Sequence, residues 1–149
     1  MNQRPLPPRR GEFAHFQRIA TRWMDNDAYG HVNNVVYYAY FDTVVNEHLV
    51  RDGGLDIERS PAIGVVVETG CRFFRGLAFP EPIDAGMRVE RLGRSSVEYA
   101  IALFGAGDDE AAAAGRFVHV WVDRTGRRPV AIPERVRAAL ERLRAAPHG

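Results

Sequence analysis

The sequence lacks several features that would place it in a protein class at once. It has a single cysteine, Cys71, which excludes an internal disulfide framework and a zinc site built only from cysteines. All 20 basic residues are arginine, yet the formal net charge is only +1, so the strong basic bias of a dedicated nucleic-acid-binding protein is absent. No segment approaches the run of about 18 apolar residues that a membrane-spanning helix needs.

What is present is typical of one folded domain. The chain has 149 residues, of which 46% are hydrophobic and 26% charged, and this suits a single domain with an ordinary core. Residues 1–11 are rich in proline and arginine, and they predict a poorly ordered tail before a single domain over residues 12–145. The first ten residues contain no apolar stretch, so we expect no secretory signal and a cytoplasmic protein.

The order of predicted elements indicates an α+β fold. Aromatic and β-branched residues predict a strand within residues 12–24, and turn-forming residues at 25–31 precede a helix over residues 33–51. Four strands follow, and a short helix begins at Pro133; the strands are predicted at 62–75, 87–92, 96–104 and 112–123. Because the strands follow the long helix in a block, the pattern favours an antiparallel sheet.

Two segments are apolar on every side, so each needs other parts of the protein to cover all of its faces. Residues 35–41 of the long helix are all apolar or aromatic, so we expect the helix to begin deep inside the protein and to emerge toward its end. The last strand alternates apolar residues on both faces: Val118, Val120 and Val122 on one, Phe117, His119 and Trp121 on the other. Such a strand needs cover on both faces. One helix covers one face, so the pattern predicts a partner subunit.

The residues with chemical potential lie at 25–34, just before the long helix. Asp25 and Asp27 precede a helix end whose first N–H groups lack internal partners and carry partial positive charge. Such an end stabilises negative charge that develops on an oxygen, and a nearby carboxylate can attack a carbonyl or take a proton from water. Gly30 would permit a close backbone approach to a ligand. The combination is typical of an acyl-transfer site.

Three other interpretations of this segment were weighed. Either aspartate would equally serve as a helix cap. The spacing Asp-x-Asp-x-x-Gly opens a calcium loop, but Tyr29 and Val36 stand where that loop needs oxygen ligands, so this interpretation fails. A transition-metal site at Asp25, Asp27 and His31 has little support, because His31 and His48 do not share a helix face.

The segment also resembles a known family. The resemblance is carried by Arg-Trp-Met-Asp-Asn-Asp at residues 22–27, Gly-His-Val-Asn-Asn at residues 30–34, and Tyr37. Together these residues resemble the signature of the hotdog-fold acyl-CoA thioesterases. Within that fold it is most similar to the 4-hydroxybenzoyl-CoA thioesterase-like family. Residues 122–129 and Ile132-Pro133 resemble the last strand of that family and its exit, and the likeness extends over residues 13–143.

The resemblance implies a fold, an activity and an assembly. It implies a long central helix wrapped by a five-stranded antiparallel sheet. It also implies hydrolysis of an acyl-CoA to a free acid and CoA without a cofactor or metal. Homodimers or homotetramers with active sites at subunit interfaces are expected, with no nucleic-acid or membrane partner.

The resemblance also implies roles for individual residues. Asp27 matches the catalytic carboxylate of the family, acting as nucleophile or as general base toward water. Backbone N–H groups of Gly30, His31 or Val32 would polarise the thioester carbonyl, and Asp25 matches a position that supports the loop. His31 also matches a catalytic histidine of the related plant acyl-carrier-protein thioesterases. There it works beside an asparagine, and since Tyr29 stands at that position here, we favour a backbone role for His31.

A larger set is expected to contact the substrate: Tyr29, Asn34, Tyr37, Glu68, Thr69, Arg72 and Arg75. Arginine binds the phosphates of CoA in a bidentate manner, which also makes candidates of Arg94, Arg124, Arg127 and Arg128. Each group also has a purely structural interpretation. The aromatic residues would pack in the core, Glu68 and Thr69 would be polar residues with hydrogen-bond partners at a sheet edge, and the arginines would be charged residues in contact with solvent. His119 is expected to be a hydrogen-bonded core residue.

Two other functions remain open. A non-catalytic hotdog protein would bind acyl-CoA or acyl-carrier protein without hydrolysis, although an ionised Asp27 has no use in a pure binder. A hotdog hydratase or dehydratase would pair an aspartate with the imidazole of His31.

Overall fold

The computed structural model describes residues 5–144, which contain one antiparallel sheet and two α-helices. The strands are β1 (His15–Ile19), β2 (Ala62–Phe73), β3 (Ile83–Leu92), β4 (Ser96–Gly105) and β5 (Ala113–Asp123). The helices are α1 (Asn34–Arg51) and α2 (Glu134–Glu141), and short 3₁₀ turns occupy Arg10–Glu12 and Trp23–Asp25. The predicted elements are all present, with shifted ends in most cases.

The sheet wraps around α1 in the order β1-β3-β4-β5-β2, with every neighbouring pair antiparallel. Side chains of β4 alternate between the two faces of the sheet, and the four apolar residues of its inner face are buried: Val97, Tyr99, Ile101 and Leu103. They form the core together with Phe41, Val44 and Leu49 of α1. The five-stranded α+β hotdog architecture is therefore confirmed.

The exposure of α1 differs from the prediction. One face of α1 is buried from Tyr37 to Leu49, whereas Val35 in its first turn is 68% exposed. The expectation that α1 begins deep inside the protein is therefore wrong for the single chain, while Val50 and Arg51 at its end are exposed as expected. One chain leaves the outer side of the first turn uncovered.

Part of the predicted tail contacts the domain. Pro8 accepts a hydrogen bond from the Ala111 N–H (2.9 Å), and the Arg10 N–H donates to the Asp109 carbonyl (2.9 Å). The guanidinium of Arg10 lies 3.0 Å from Asp84, which supplies a charge partner that the sequence did not reveal. Residues 1–4, like residue 145 of the predicted domain, lie outside the described residues, and the division into a tail and a domain stays a prediction.

The last helix, predicted to begin at Pro133, buries an apolar stripe. Val136 and Leu140 of α2 are buried, as is Leu143 just after it. Neither helix within residues 5–144 is long and apolar enough to cross a membrane.

Candidate active site

Residues 25–33 form a short hairpin that delivers the chain into α1. The Asn33 N–H donates to the Asp25 carbonyl (2.9 Å), and the Asp27 N–H donates to the His31 carbonyl (2.9 Å). Gly30 lies at the turn with a φ of +87°, a conformation that favours glycine. A Cβ at Gly30 would meet no protein atom within 4 Å, so within the single chain the positive φ alone accounts for this glycine.

Asp25 is sealed inside the protein. The residue is 1% exposed, and its carboxylate accepts hydrogen bonds from the Tyr40 hydroxyl (2.7 Å), the Arg22 N–H (2.8 Å) and the Arg22 Nε (3.0 Å). Burial alone would raise the pKa of Asp25, but the donors from Tyr40 and Arg22 outweigh it, and the pKa lies below its usual value. Asp25 is therefore an ionised, fully partnered support for the loop.

Asp27 faces a cavity of about 420 Å³. The lining residues are Asp27, His31, Val32, Asn34, Tyr37, Phe73, Phe74, Arg75 and Gly76. The Tyr29 N–H donates to Asp27 Oδ1 (2.8 Å), which fixes the carboxylate with respect to its own turn. Asp27 Oδ2 has no hydrogen-bond donor within residues 5–144, so one carboxylate oxygen is open to the cavity.

Neither aspartate caps α1. The cap is Asn33, whose side-chain oxygen accepts the Val35 N–H (3.0 Å) and whose carbonyl accepts the Val36 N–H (2.9 Å). The capping interpretation of Asp25 and Asp27 is therefore wrong. Sequence reasoning overlooked Asn33, although an asparagine directly before the predicted start of a helix is a recognised cap signal.

Some backbone N–H groups of this segment donate to an acceptor within the protein, and others have none. The Gly30 N–H donates to the Asp27 carbonyl (3.1 Å), and the Val32 N–H donates to the Leu77 carbonyl (2.7 Å). Neither is free to polarise a substrate carbonyl, which corrects two of the three expected donors. Between residues 30 and 36, the N–H groups of His31 and Asn34 are the ones with no acceptor inside residues 5–144. Asn34 is the first residue of α1, where such a free donor is expected.

The two aromatic candidates, Tyr29 and Tyr37, differ in whether they line the cavity. Tyr29 is 90% exposed and is absent from the cavity lining, so its contribution to the site is its backbone N–H. Tyr37 is buried in the lining, and its ring packs edge-on against Phe73 with centroids 4.9 Å apart. Burial raises the pKa of Tyr37, so its hydroxyl is protonated near neutral pH.

The imidazole of His31 lies over Gly76. A Cβ at Gly76 would come within 2.6 Å of His31 Cδ2, so this position needs glycine if the ring is to keep its place. The requirement for Gly76 was not foreseen, because the contact joins two segments far apart in the sequence.

Glu68 and Thr69 lie away from Asp27. Glu68 pairs with Arg116, which also binds Glu98 (2.6 Å), and the Thr69 hydroxyl donates to the Arg116 carbonyl (2.9 Å). Both residues lie on β2, outside the lining of the cavity. The structure therefore supports their alternative interpretation as satisfied polar positions and does not bring them to the site within one chain.

The arginine candidates occupy three different places. Arg75 lines the cavity but is engaged, because it binds Asp108 and donates to the Gly76 carbonyl (3.0 Å). Arg72 lines an adjoining cavity of about 340 Å³ with Phe73 and Phe74, and it forms no ion pair within residues 5–144. The remaining four lie at the opposite end of the sheet, near the start of β2 and β4: Arg94, Arg124, Arg127 and Arg128.

With this geometry established, comparison with known proteins identifies the family. Residues 21–140 match the thioesterase-like superfamily. The chain belongs to this superfamily. The match includes the hairpin, α1 and the whole of β2 to β5, so the described site lies inside the shared region.

Three relatives illustrate how far the likeness to known proteins extends. The PA5185 protein of Pseudomonas aeruginosa has 56% sequence identity and a TM-score of 0.93, covering 94% of this chain and 98% of its own. A thioesterase from Thermus thermophilus, solved with coenzyme A and Zn, has 29% identity and a TM-score of 0.75, covering 91% and 98%. The YsmA protein of Bacillus subtilis is 24% identical over 93 residues, which span 62% of this chain and 63% of YsmA.

The remaining candidates do not add a second reactive centre to this thioesterase-like domain. His119 is buried between Tyr99 and Phe117, and burial lowers its pKa to about 4. It is a core residue, although its Nδ1 lacks the expected hydrogen-bond partner among the described residues. Over residues 5–144 there is no group of three histidine, cysteine or acidic side chains that could hold a metal ion.

Proposed function

We propose that the protein hydrolyses an acyl-CoA thioester to a free carboxylic acid and CoA. The observation that carries the proposal is the meeting, in one cavity, of the Asp27 carboxylate and the free N–H groups of His31 and Asn34. A reactive carboxylate beside unpartnered backbone donors is the arrangement that acyl transfer to water requires.

The donors would stabilise the charge that forms on the carbonyl oxygen. As the thioester carbon becomes tetrahedral, its oxygen gains negative charge and accepts the Asn34 N–H at the positive end of the 18-residue helix α1. His31 lines the same cavity, and its N–H, which has no acceptor within residues 5–144, is the second candidate donor. Both donors are fixed before the substrate arrives, so little reorganisation is needed.

Asp27 would supply the nucleophile or the base. As nucleophile, its carboxylate attacks the carbonyl carbon and expels the CoA thiolate, and water then hydrolyses the acyl-aspartate anhydride. As base, it takes a proton from water, whose oxygen attacks the same carbon; the tetrahedral intermediate then breaks its C–S bond, and the CoA thiolate that leaves takes up the proton. Either route ends with a carboxylic acid and CoA thiol.

The surroundings of the cavity suggest how a substrate lies. The rings of Tyr37, Phe73 and Phe74 offer an apolar surface for the acyl group. Arg72, in the adjoining cavity, is available for a phosphate of CoA, whereas Arg75 is held by carboxylates. The thioesterase of Thermus thermophilus that contains coenzyme A supports this class of ligand.

We also propose that the protein works as a homo-oligomer. Strand β2 is an edge of the sheet, and it exposes Val66, Val67 and Phe73 over a length of 12 residues. A long apolar edge invites pairing with another strand, and a second copy offers the same edge. Sedimentation velocity tests this: we expect at least twice the mass of one chain, and a monomer at micromolar concentration would contradict it.

Thiol release from a panel of short, long and aromatic acyl-CoA substrates tests the activity. We expect turnover of at least one member of the panel, with equal amounts of acid and free thiol. Binding without turnover would support a non-catalytic binding protein. Hydration of a 2-enoyl-CoA without thiol release, lost in His31→Ala, would support a hydratase. Either result would overturn the proposed hydrolysis.

A further inference from the structure

The hydroxyl of Tyr40 ties the middle of α1 to the loop that carries Asp27. Tyr40 is buried, and its hydroxyl donates to Asp25 Oδ2 over 2.7 Å. The acceptor is an ionised carboxylate inside the protein, where such a charge-assisted bond is short and strong. This contact lies outside the lining of the Asp27 cavity.

Asp25 in turn holds both ends of the hairpin. The same Oδ2 accepts the Arg22 N–H (2.8 Å) before the hairpin, and the Asp25 carbonyl accepts the Asn33 N–H (2.9 Å) at its end. Arg22 adds an ion pair, but its side chain is largely exposed, so water weakens that contribution. Tyr40 is therefore the buried donor that connects Asp25 to the helix.

The reaction depends on the distance between groups on these two elements. Asp27 lies on the hairpin, and the free N–H of Asn34 lies at the start of α1. Since the hairpin leads directly into α1, the Asp25–Tyr40 bond fixes how the hairpin folds back against the helix. A displacement of about 1 Å between reacting groups is enough to cost about 100-fold in rate.

We propose that Tyr40 is a positioning residue for catalysis, which holds Asp25 against α1 and thereby sets the Asp27 carboxylate with respect to the Asn34 N–H. The inference rests on the proposed hydrolysis. It assigns to Tyr40 an effect on turnover and none on substrate binding, because Tyr40 does not line the cavity.

Kinetics of Tyr40→Phe test this role. We expect kcat for the best acyl-CoA to fall about 10- to 100-fold while KM changes less than about threefold. Tyr99→Phe is the matched control, since the Tyr99 hydroxyl is also buried on the core side but has no partner within the described chain. Unchanged kcat in Tyr40→Phe, or an equal loss in Tyr99→Phe, would overturn the proposal.

A double-mutant cycle asks whether Tyr40 acts through Asp25. Asp25→Asn and Tyr40→Phe should each lower kcat, and the double variant should lose no more than the worse single variant. Additive losses would mean that Tyr40 affects turnover by a different route, and they would contradict the proposal.

Amide hydrogen exchange provides a readout that does not depend on activity. Tyr40→Phe should speed exchange at the Asp27 and Asn33 N–H groups, whereas Tyr99→Phe should leave both unchanged. If the wild-type chain released no thiol, the proposed hydrolysis would fail, and exchange would still decide whether Tyr40 holds the hairpin. Unchanged exchange in Tyr40→Phe would overturn the positioning role.

Discussion

Two carboxylates in one hairpin, those of Asp25 and Asp27, have opposite surroundings. Asp25 has no exposed side-chain surface and accepts three hydrogen bonds from Tyr40 and Arg22. Asp27 faces a cavity and accepts one backbone N–H on one of its two oxygens. The difference shows that burial and partners, and not residue type or spacing, set the two carboxylates apart: Asp25 is held by internal donors, and Asp27 is left as the group that the proposed hydrolysis would use.

The largest effect is expected at the open carboxylate. Asp27→Asn should lower kcat about 10²- to 10⁴-fold, because an amide is neither a base nor an effective nucleophile. The variant keeps an acceptor for the Tyr29 N–H, so the unfolding free energy should change by less than about 0.5 kcal/mol. Thiol release and urea unfolding measure the two quantities. A kcat of Asp27→Asn within a few-fold of wild type would contradict the proposed catalytic role of Asp27.

The next effect concerns the free N–H of Asn34 at the start of α1. Asn34→Pro removes the free N–H, and the first position of a helix tolerates proline because its N–H has no helical partner. Asn33 already has the extended backbone that precedes proline (φ −60°, ψ 136°), so α1 should persist. We expect kcat to fall about 10²- to 10³-fold, as for the loss of an oxyanion donor.

Asn34→Ala is the matched control for that change, since it alters the side chain and retains the N–H. Its kcat should stay within about tenfold of wild type. If the proline and alanine variants lost the same activity, the side chain of Asn34 would matter and its N–H would not. Circular dichroism would confirm that α1 remains helical in both.

The smallest effect on turnover, and the largest on stability, is expected at the sealed carboxylate. Asp25→Asn should lower the unfolding free energy by about 1–3 kcal/mol at neutral pH, because buried donors lose a charged acceptor. The lowered pKa of Asp25 means that its contribution is complete above its usual pKa and is lost as the pH falls through the lowered value. The gap in stability between wild type and Asp25→Asn should therefore shrink on acidification below about pH 4.

Urea unfolding of both proteins from pH 7 down to pH 3 measures this gap. The buried His119, with a pKa of about 4, destabilises both proteins alike as the pH falls from about 6.5, and its effect cancels in the difference. A gap that is constant or widens on acidification would contradict the assignment of Asp25 as an ionised support.

Local patterns predicted most of the fold. The strand predicted at residues 96–104 and the helix predicted at residues 33–51 match β4 (Ser96–Gly105) and α1 (Asn34–Arg51) to within one residue at each end. The first turn of α1 was misjudged because periodicity reports which residues are apolar but not which chain covers them. Val35 is apolar and exposed in one chain, and the sequence contains no signal that separates these two properties.

The site was predictable where its chemistry is local. Asp27, His31, Asn34 and Tyr37 follow one another closely and do line one cavity. The Val32 N–H was wrongly expected to be free because its acceptor is the carbonyl of Leu77, 45 positions away in the sequence. The same limit hid the contact of His31 with Gly76 and the pairing of Glu68 with Arg116, since each depends on how distant strands meet.

The most direct test of the proposed role of Asp27 is the position that the carbonyl group of a bound substrate analogue takes. A ketone analogue of an acyl-CoA, with CH₂ in place of the thioester sulfur, cannot be hydrolysed, and a crystal structure of its complex locates the carbonyl group. The ketone oxygen is expected about 3 Å from the Asn34 N–H, with the ketone carbon within reach of an Asp27 oxygen, directly or through one water. An analogue bound with its carbonyl group remote from Asp27 would contradict the proposed hydrolysis.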